Sequence, residues 1–256
     1  MDTATGVDAQ VFGVSQNRSL LGTGAGRCAD SSVLRQADAM TVDIEANLQA
    51  YRRHGSPESR YASFDYCYNY FQDARDAVET DRLADEDRRL LSCLQLGFYL
   101  ASWGMMRGSG DLLQNSVRGL VPVVEQIADE STSTWDLDAD SYADNAEGVL
   151  ALGRRVRRAF QASEVDASDI LVTKTMLGVF GCVPAFDLNF RRGFGPATLS
   201  PKTLKKIGVF YRDNQAEIEA APVLTLDFLT GEETERRYSS AKIIDMVFFQ
   251  EGFSRS

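Results

Sequence analysis

The chain has 256 residues, 44% of them hydrophobic and 25% charged, a globular composition with enough apolar material for a sizeable core. A formal net charge of −10 argues against a generally basic, nucleic-acid-coating surface, although a polyanion needs only a local positive face. The one histidine, His54, sits in a polar run and argues against His-rich zinc sites and Ser-His-Asp or Cys-His constellations, which leaves carboxylates for acid–base chemistry.

Residues 1–32 are rich in Gly, Ser, Thr and Asp and are expected to form an irregular arm. Within them Leu21-Gly22-Thr23-Gly24-Ala25-Gly26 mimics part of a dinucleotide fingerprint, but no convincing strand precedes it and no full G-x-G-x-x-G is present, so no cofactor is expected. The first residues lack the basic start and apolar run of a signal peptide. No stretch approaches the roughly 20 apolar residues of a membrane span, so a cytoplasmic protein with no membrane partner is expected.

From residue 33 the apolar spacing becomes helical, and residues 33–256 are expected to form one two-lobed helical domain. The first helix spans about 33–53. Pro57 suits the first turn of the next, running to about Thr80 with an aromatic stripe of Tyr61, Phe64, Tyr66, Tyr68, Tyr70 and Phe71 that reads as core. The run 85–106 is apolar on several faces and predicts a buried central helix, ended by the glycines at 104, 108 and 110. A helix over 111–129 follows, with Pro122 placed to kink it. Residues 131–143, with Asp136, Asp138 and Asp140, read as a polar, solvated connection. Helices are predicted at about 144–162, 167–180, 187–193 and 201–220. A strand-like piece at 223–229 meets the turn Thr230-Gly231, which suggests a small hairpin near 223–238, and a last helix covers about 239–251. The fold class expected is all-α with at most that hairpin. The four cysteines, Cys28, Cys67, Cys93 and Cys182, form no C-x-x-C pair and read as buried reduced thiols.

Basic residues cluster in the C-terminal half, at Arg154, Arg155, Arg157 and Arg158, at Arg191 and Arg192, and at Lys202, Lys205, Lys206 and Arg212. The segment richest in chemistry, residues 169–192, follows the first group and ends on the second: an apolar helix with one lysine, Lys174, then a turn containing Gly181 and Pro184, then Asp187 opening a short helix. An Asp there caps free backbone N–H groups and complements the helix dipole. The same geometry also presents a fixed carboxylate beside basic side chains.

A helix ending in a Gly/Pro-containing loop and then Asp resembles the helix-hairpin-helix–Gly/Pro–Asp superfamily of DNA base-excision glycosylases. Gly181, Pro184 and Asp187 match the loop, Lys174 matches the position after the hairpin, and Asn189 and Arg191 follow on the next helix. The likeness covers roughly 30 residues plus the helical layout. Leu171-Val172-Thr173 stands where the family carries the Gly-x-Gly that grips a phosphate.

The resemblance implies a two-lobed helical array acting on double-stranded DNA, including modified phage DNA, with no metal or cofactor. The target nucleotide would be flipped from the duplex. Asp187 would stabilise the developing oxocarbenium charge and position water. Lys174 would contact a phosphate, or, as the less favoured role, act as an amine nucleophile. Trp103, Arg107 and Gln114 are candidates for the base pocket, with Asn189 and Arg191 beside them; Asp245 and Gln250 on the last helix could line the same cleft. The rival expectation is a non-catalytic helical adaptor or inhibitor whose acidic surface engages a basic partner.

Overall fold

Ser168 and Gly181 bound one of the two helices that form the interior. The Ser168 hydroxyl accepts from Leu171 N, and Gly181 closes the far end in the left-handed conformation (φ 68°), where a Cβ would strain the backbone. The computed structural model describes residues 42–108 and 111–255. In chain order its helices are α1 (Ile44–Arg52), α2 (Ala62–Asp76), α3 (Arg89–Ser102), α4 (Val121–Ala128), α5 (Thr132–Trp135), α6 (Tyr142–Gln161), α7 (Asp169–Phe180), α8 (Leu188–Phe194), α9 (Pro201–Asp213) and α10 (Gln215–Ala220). Strands β1 (Leu224–Leu226) and β2 (Glu233–Arg237) pair antiparallel, with Leu224 opposite Arg237 and Leu226 opposite Glu233, and α11 (Ser240–Ser254) ends the chain. The protein is therefore all-α with one small hairpin. Among the described residues no helix is long and apolar enough to cross a membrane.

Two helices form the interior. Every residue from 171 to 180 on α7 is buried, and so is every residue from 241 to 250 on α11. Helices α2, α3 and α6 pack on α7, while α1 and α8 pack on α11. The α8–α11 crossing is close enough that a Cβ on Gly252 would lie 1.9 Å from the Asn189 carbonyl oxygen, so only glycine fits.

Several elements depart from the sequence expectations. The part of the first predicted helix before residue 42, the arm 1–32 and Cys28 lie outside the described residues. Pro57 does not open α2: residues 57–61 form turns instead, tied back by the Tyr66 hydroxyl, which donates to the Pro57 carbonyl at 2.7 Å. The run 111–129 is not one helix. Two 3-10 turns, Asp111–Gln114 and Val117–Leu120, precede α4, and Pro122 sits in its first turn, where the missing N–H costs nothing, rather than kinking it. The run 201–220 breaks at Asn214, which leaves helical geometry (φ −126°, ψ 19°).

Helix α3 is not the buried central helix. Its one face, with Cys93, Leu96, Tyr99 and Leu100, is buried, but Leu90, Leu91, Leu94 and Phe98 are exposed. The connection 131–143 is not simply solvated either. Trp135, Leu137 and Ala139 are buried, and Asp138 accepts from the backbone N–H groups of Ser240 and Ala241, capping α11 across the chain. Burial pushes the Asp138 carboxyl up to about 6, although the backbone donors at Ala139, Ala241 and Ser240 pull against it.

Candidate active site

The turn between α7 and α8 is fixed group by group. Gly181 O accepts from the Ser239 hydroxyl at 2.6 Å, Cys182 O from the Tyr142 hydroxyl at 2.7 Å, and Phe186 N donates to Thr173 Oγ1 at 3.1 Å. Ala185 N donates to Asp245 Oδ1 at 3.0 Å. Residues from α6, α7 and α11 thus hold a loop that carries no regular backbone pairing of its own. At its end Asp187 caps α8, its Oδ1 accepting from Phe190 N at 3.0 Å, as the sequence suggested.

The second Asp187 oxygen does something more. Lys174 Nζ, four residues into the buried stretch of α7, lies 3.0 Å from Asp187 Oδ2, with the lysine side chain 3% exposed and the aspartate 17%. Lys174 therefore cannot be a surface phosphate contact, the role favoured from sequence: its amine is enclosed by protein and committed to a carboxylate. Leu171-Val172-Thr173 likewise lie inside α7 rather than in a hairpin turn.

A second buried pair stands beside the first. Lys242 Nζ is 3.0 Å from Asp245 Oδ2, and both side chains are buried. Trp103, the residue that closes α3, joins the pairs: the Lys174 nitrogen lies 5.0 Å and the Lys242 nitrogen 5.6 Å from its ring centre, distances at which a cation is attracted by the ring face. Lys242 also donates to the Tyr51 hydroxyl at 3.3 Å. Burial raises the Asp245 carboxyl above its ordinary range; Lys242 pulls it down, and the Asp187 charge pushes it up again. The four charges surround a cavity of about 10 Å³ lined by Tyr99, Trp103, Lys174, Asp187, Lys242 and Asp245 among others, the volume of one water and far short of a sugar. Trp103 Nε1 is buried without a hydrogen-bond partner among the described residues.

Of the residues singled out from sequence, the structure brings together Asp187, Lys174, Trp103 and Asp245. It does not gather the others. Arg107 is exposed and its guanidinium folds back over Gly104 in its own turn. Gln114 and Arg191 are exposed, Asn189 is half-buried at the α8–α11 crossing, and none of the three lines the cavity. Gln250 is buried, its Oε1 without a partner among the described residues and its amide turned to Ser254. Of the arginines at 154–158, Arg154 pairs with Glu147, Arg155 with Glu130 and Arg157 with Asp169, so that cluster is largely neutralised by its own neighbours. Lys242 was missed by sequence reading. Its signal was a lysine three residues before an aspartate inside the otherwise apolar run 241–249.

Comparison with protein-family models, with curated proteins and with solved structures returned no match to this chain.

Proposed function

We propose that the protein is a DNA base-excision glycosylase that works through the Asp187–Lys174 pair. The observation that carries this reading is the 3.0 Å separation of a buried amine and a carboxylate held at a rigid turn. A carboxylate in contact with an amine can take the proton that the amine must lose before it attacks. In the reaction, Lys174 passes a proton to Asp187 and bonds to C1′ of the deoxyribose. The C1′–N bond breaks, its electron pair leaves with the base, and the base takes the proton from Asp187. Ring opening leaves an imine on Lys174, which water then hydrolyses. Once the base has taken that proton, Asp187 is a carboxylate again and balances the positive charge of the protonated imine.

The cavity beside Asp187 is too small for a nucleotide, so the substrate reaches the pair only when Trp103 moves aside. The residue after it, Gly104, has φ 78° and starts a turn, a suitable place for such a motion.

The test is incubation of wild type, Lys174→Ala and Asp187→Asn with unmodified DNA and with phage DNA carrying modified bases. Abasic sites are then detected, and imines are trapped with borohydride. Wild type is expected to give both abasic sites and a trapped complex, Lys174→Ala no complex, and Asp187→Asn neither. Equal product from Asp187→Asn removes that carboxylate from the mechanism, and product without a trapped complex returns Lys174 to a charge partner. A non-catalytic adaptor is the second reading. It is favoured by the closure of the charge cluster and by the exposed apolar side chains of α3, and absence of product on every DNA selects it.

A further inference from the structure

A second cavity among the described residues is far larger than the one between the charges. A groove of about 690 Å³ runs between the α3 surface, the 57–60 turn and the tip of the β-hairpin. That volume lies in the range of small-molecule sites. Three aromatic side chains line it: Tyr66 from α2, Phe98 from α3 and Phe228 from the hairpin. Tyr66 and Phe228 meet edge to face, with ring centres 5.1 Å apart. Phe98 is 68% and Phe228 72% exposed, so their rings are offered to whatever enters. Arg60 lines the same groove, and its guanidinium carbon sits 5.3 Å from the Tyr61 ring centre and 5.7 Å from that of Trp103. Among the described residues Arg60 has no carboxylate partner. Gln95 and Glu58 add an amide and a carboxylate to the lining.

We propose that this groove binds a nucleobase presented on a single strand of DNA, stacked against Phe98 and Phe228. Every base has a π-face, so such a platform accepts bases with little regard to sequence. Gln95 and Glu58 offer the acceptors and donors that amino and ring-nitrogen edges of a base require. Arg60 supplies one positive charge for the adjoining phosphate, which matters in a chain of net charge −10. Because Arg60 lies over Trp103, and Trp103 lies over both buried lysines, a base seated here occupies the approach to the Lys174–Asp187 pair. The choice of DNA as the ligand rests on the glycosylase reading; the stacking geometry does not.

Fluorescence anisotropy of the full-length protein tests this, with labelled oligothymidylate and an oligomer of the same length that carries the sugar–phosphate backbone without bases. Binding of oligothymidylate at least tenfold tighter than the baseless oligomer is expected, because stacking contributes roughly that much per base. The double variant Phe98→Ser, Phe228→Ser is expected to lose about the same factor, and its unfolding transition should shift little because both side chains are more than two-thirds exposed. Arg60→Met is expected to lower the slope of log affinity against log salt by about 0.7, one single-strand phosphate. Equal affinity for the two oligomers, or for wild type and the double phenylalanine variant, overturns the proposal. So does absence of binding to either oligomer, which leaves the face to a protein partner. Oligothymidylate binding without base release from any DNA retires the glycosylase reading alone, whereas base release undiminished in the double phenylalanine variant retires the groove alone.

Discussion

Helices α7 and α3 are both strongly apolar, and they violate the inside–outside rule in opposite directions. Helix α7 buries the whole of residues 171–180 and takes a lysine in with them. Helix α3 packs Leu96, Tyr99 and Leu100 inward yet leaves Leu90, Leu91, Leu94 and Phe98 in solvent. Burying an ion costs several kcal/mol unless a partner compensates it, and a half-exposed Leu or Phe forgoes roughly half of the about 1.5–3 kcal/mol that full burial contributes. Fold stability alone accounts for neither choice. Departures of this kind gather where a site or an interface constrains the residue, and here the two meet at Trp103, the end of α3 and the ring above Lys174.

The largest effect is expected from separating the α7 charge from its partner. Asp187→Ala leaves the Lys174 ammonium, 3% exposed, without its ion-pair partner and removes the cap on Phe190 N. Breaking a buried pair in this way costs about 3–5 kcal/mol. Adding Lys174→Met to Asp187→Ala should recover much of it, because no unpaired charge is left behind, giving a coupling of at least about 1 kcal/mol between the sites. Urea denaturation of the two single variants and the double variant measures it. Additive losses would mean that the two side chains do not sense each other, and the contrast between the helices would lose its buried half.

A smaller effect comes from another carboxylate in the same interior. Asp65 on α2 is 3% exposed and accepts from the Tyr238 hydroxyl at 2.5 Å. Burial raises its carboxyl to about 7, while Tyr238 and Lys242 pull it back. A folded-state value above the unfolded one means that the folded protein holds the proton more tightly. This stabilising contribution is complete below about pH 4 and is lost as pH rises toward 7. Asp65 alone should therefore lower stability by about 2–3 kcal/mol between pH 5 and pH 8, Asp138 should add to the fall, and Asp65→Asn should remove the Asp65 share of the slope. A wild-type stability that rises over this range would show Asp65 ionised in the folded state.

What the sequence made legible follows the physics of each element. The helices with clear caps were readable: Ser168 and Gly181 framed α7, Ser200 with Pro201 opened α9, and Asp187 capped α8. Thr230-Gly231 marked the hairpin. The 111–129 run misled because apolar residues at helical spacing also suit 3-10 turns, and Pro122 suits a first turn as well as a kink. Helix α3 misled because an apolar composition does not say what the side chains touch. In the site, the Gly/Pro turn and Asp187 were visible locally. The Lys174–Asp187 contact spans 13 residues, and the Asp245 contact to Ala185 spans 60, so only the tertiary fold could bring them together. Lys242 was the most readable of the missed residues, since a lone lysine in an apolar run asks for a buried partner.

The smallest expected effect tests the other half of the contrast. Leu91→Gln and Leu94→Gln on α3 replace side chains that are each 48% exposed. Glutamine has nearly the helix propensity of leucine, so the helix itself should hardly notice. Each change should leave stability within about 0.5 kcal/mol, the usual range for a surface position. Both side chains belong to a face that a partner or a ligand would cover, and that is where any effect should appear: Leu94 lines the groove beside Phe98, whereas Leu91 lies one turn further back and outside it. Loss of oligonucleotide binding with Leu94→Gln but not with Leu91→Gln would confine the useful apolar surface to the groove. Loss of more than about 1 kcal/mol of stability from either change would mean that these side chains are covered in solution after all, and α3 would then obey the same rule as α7.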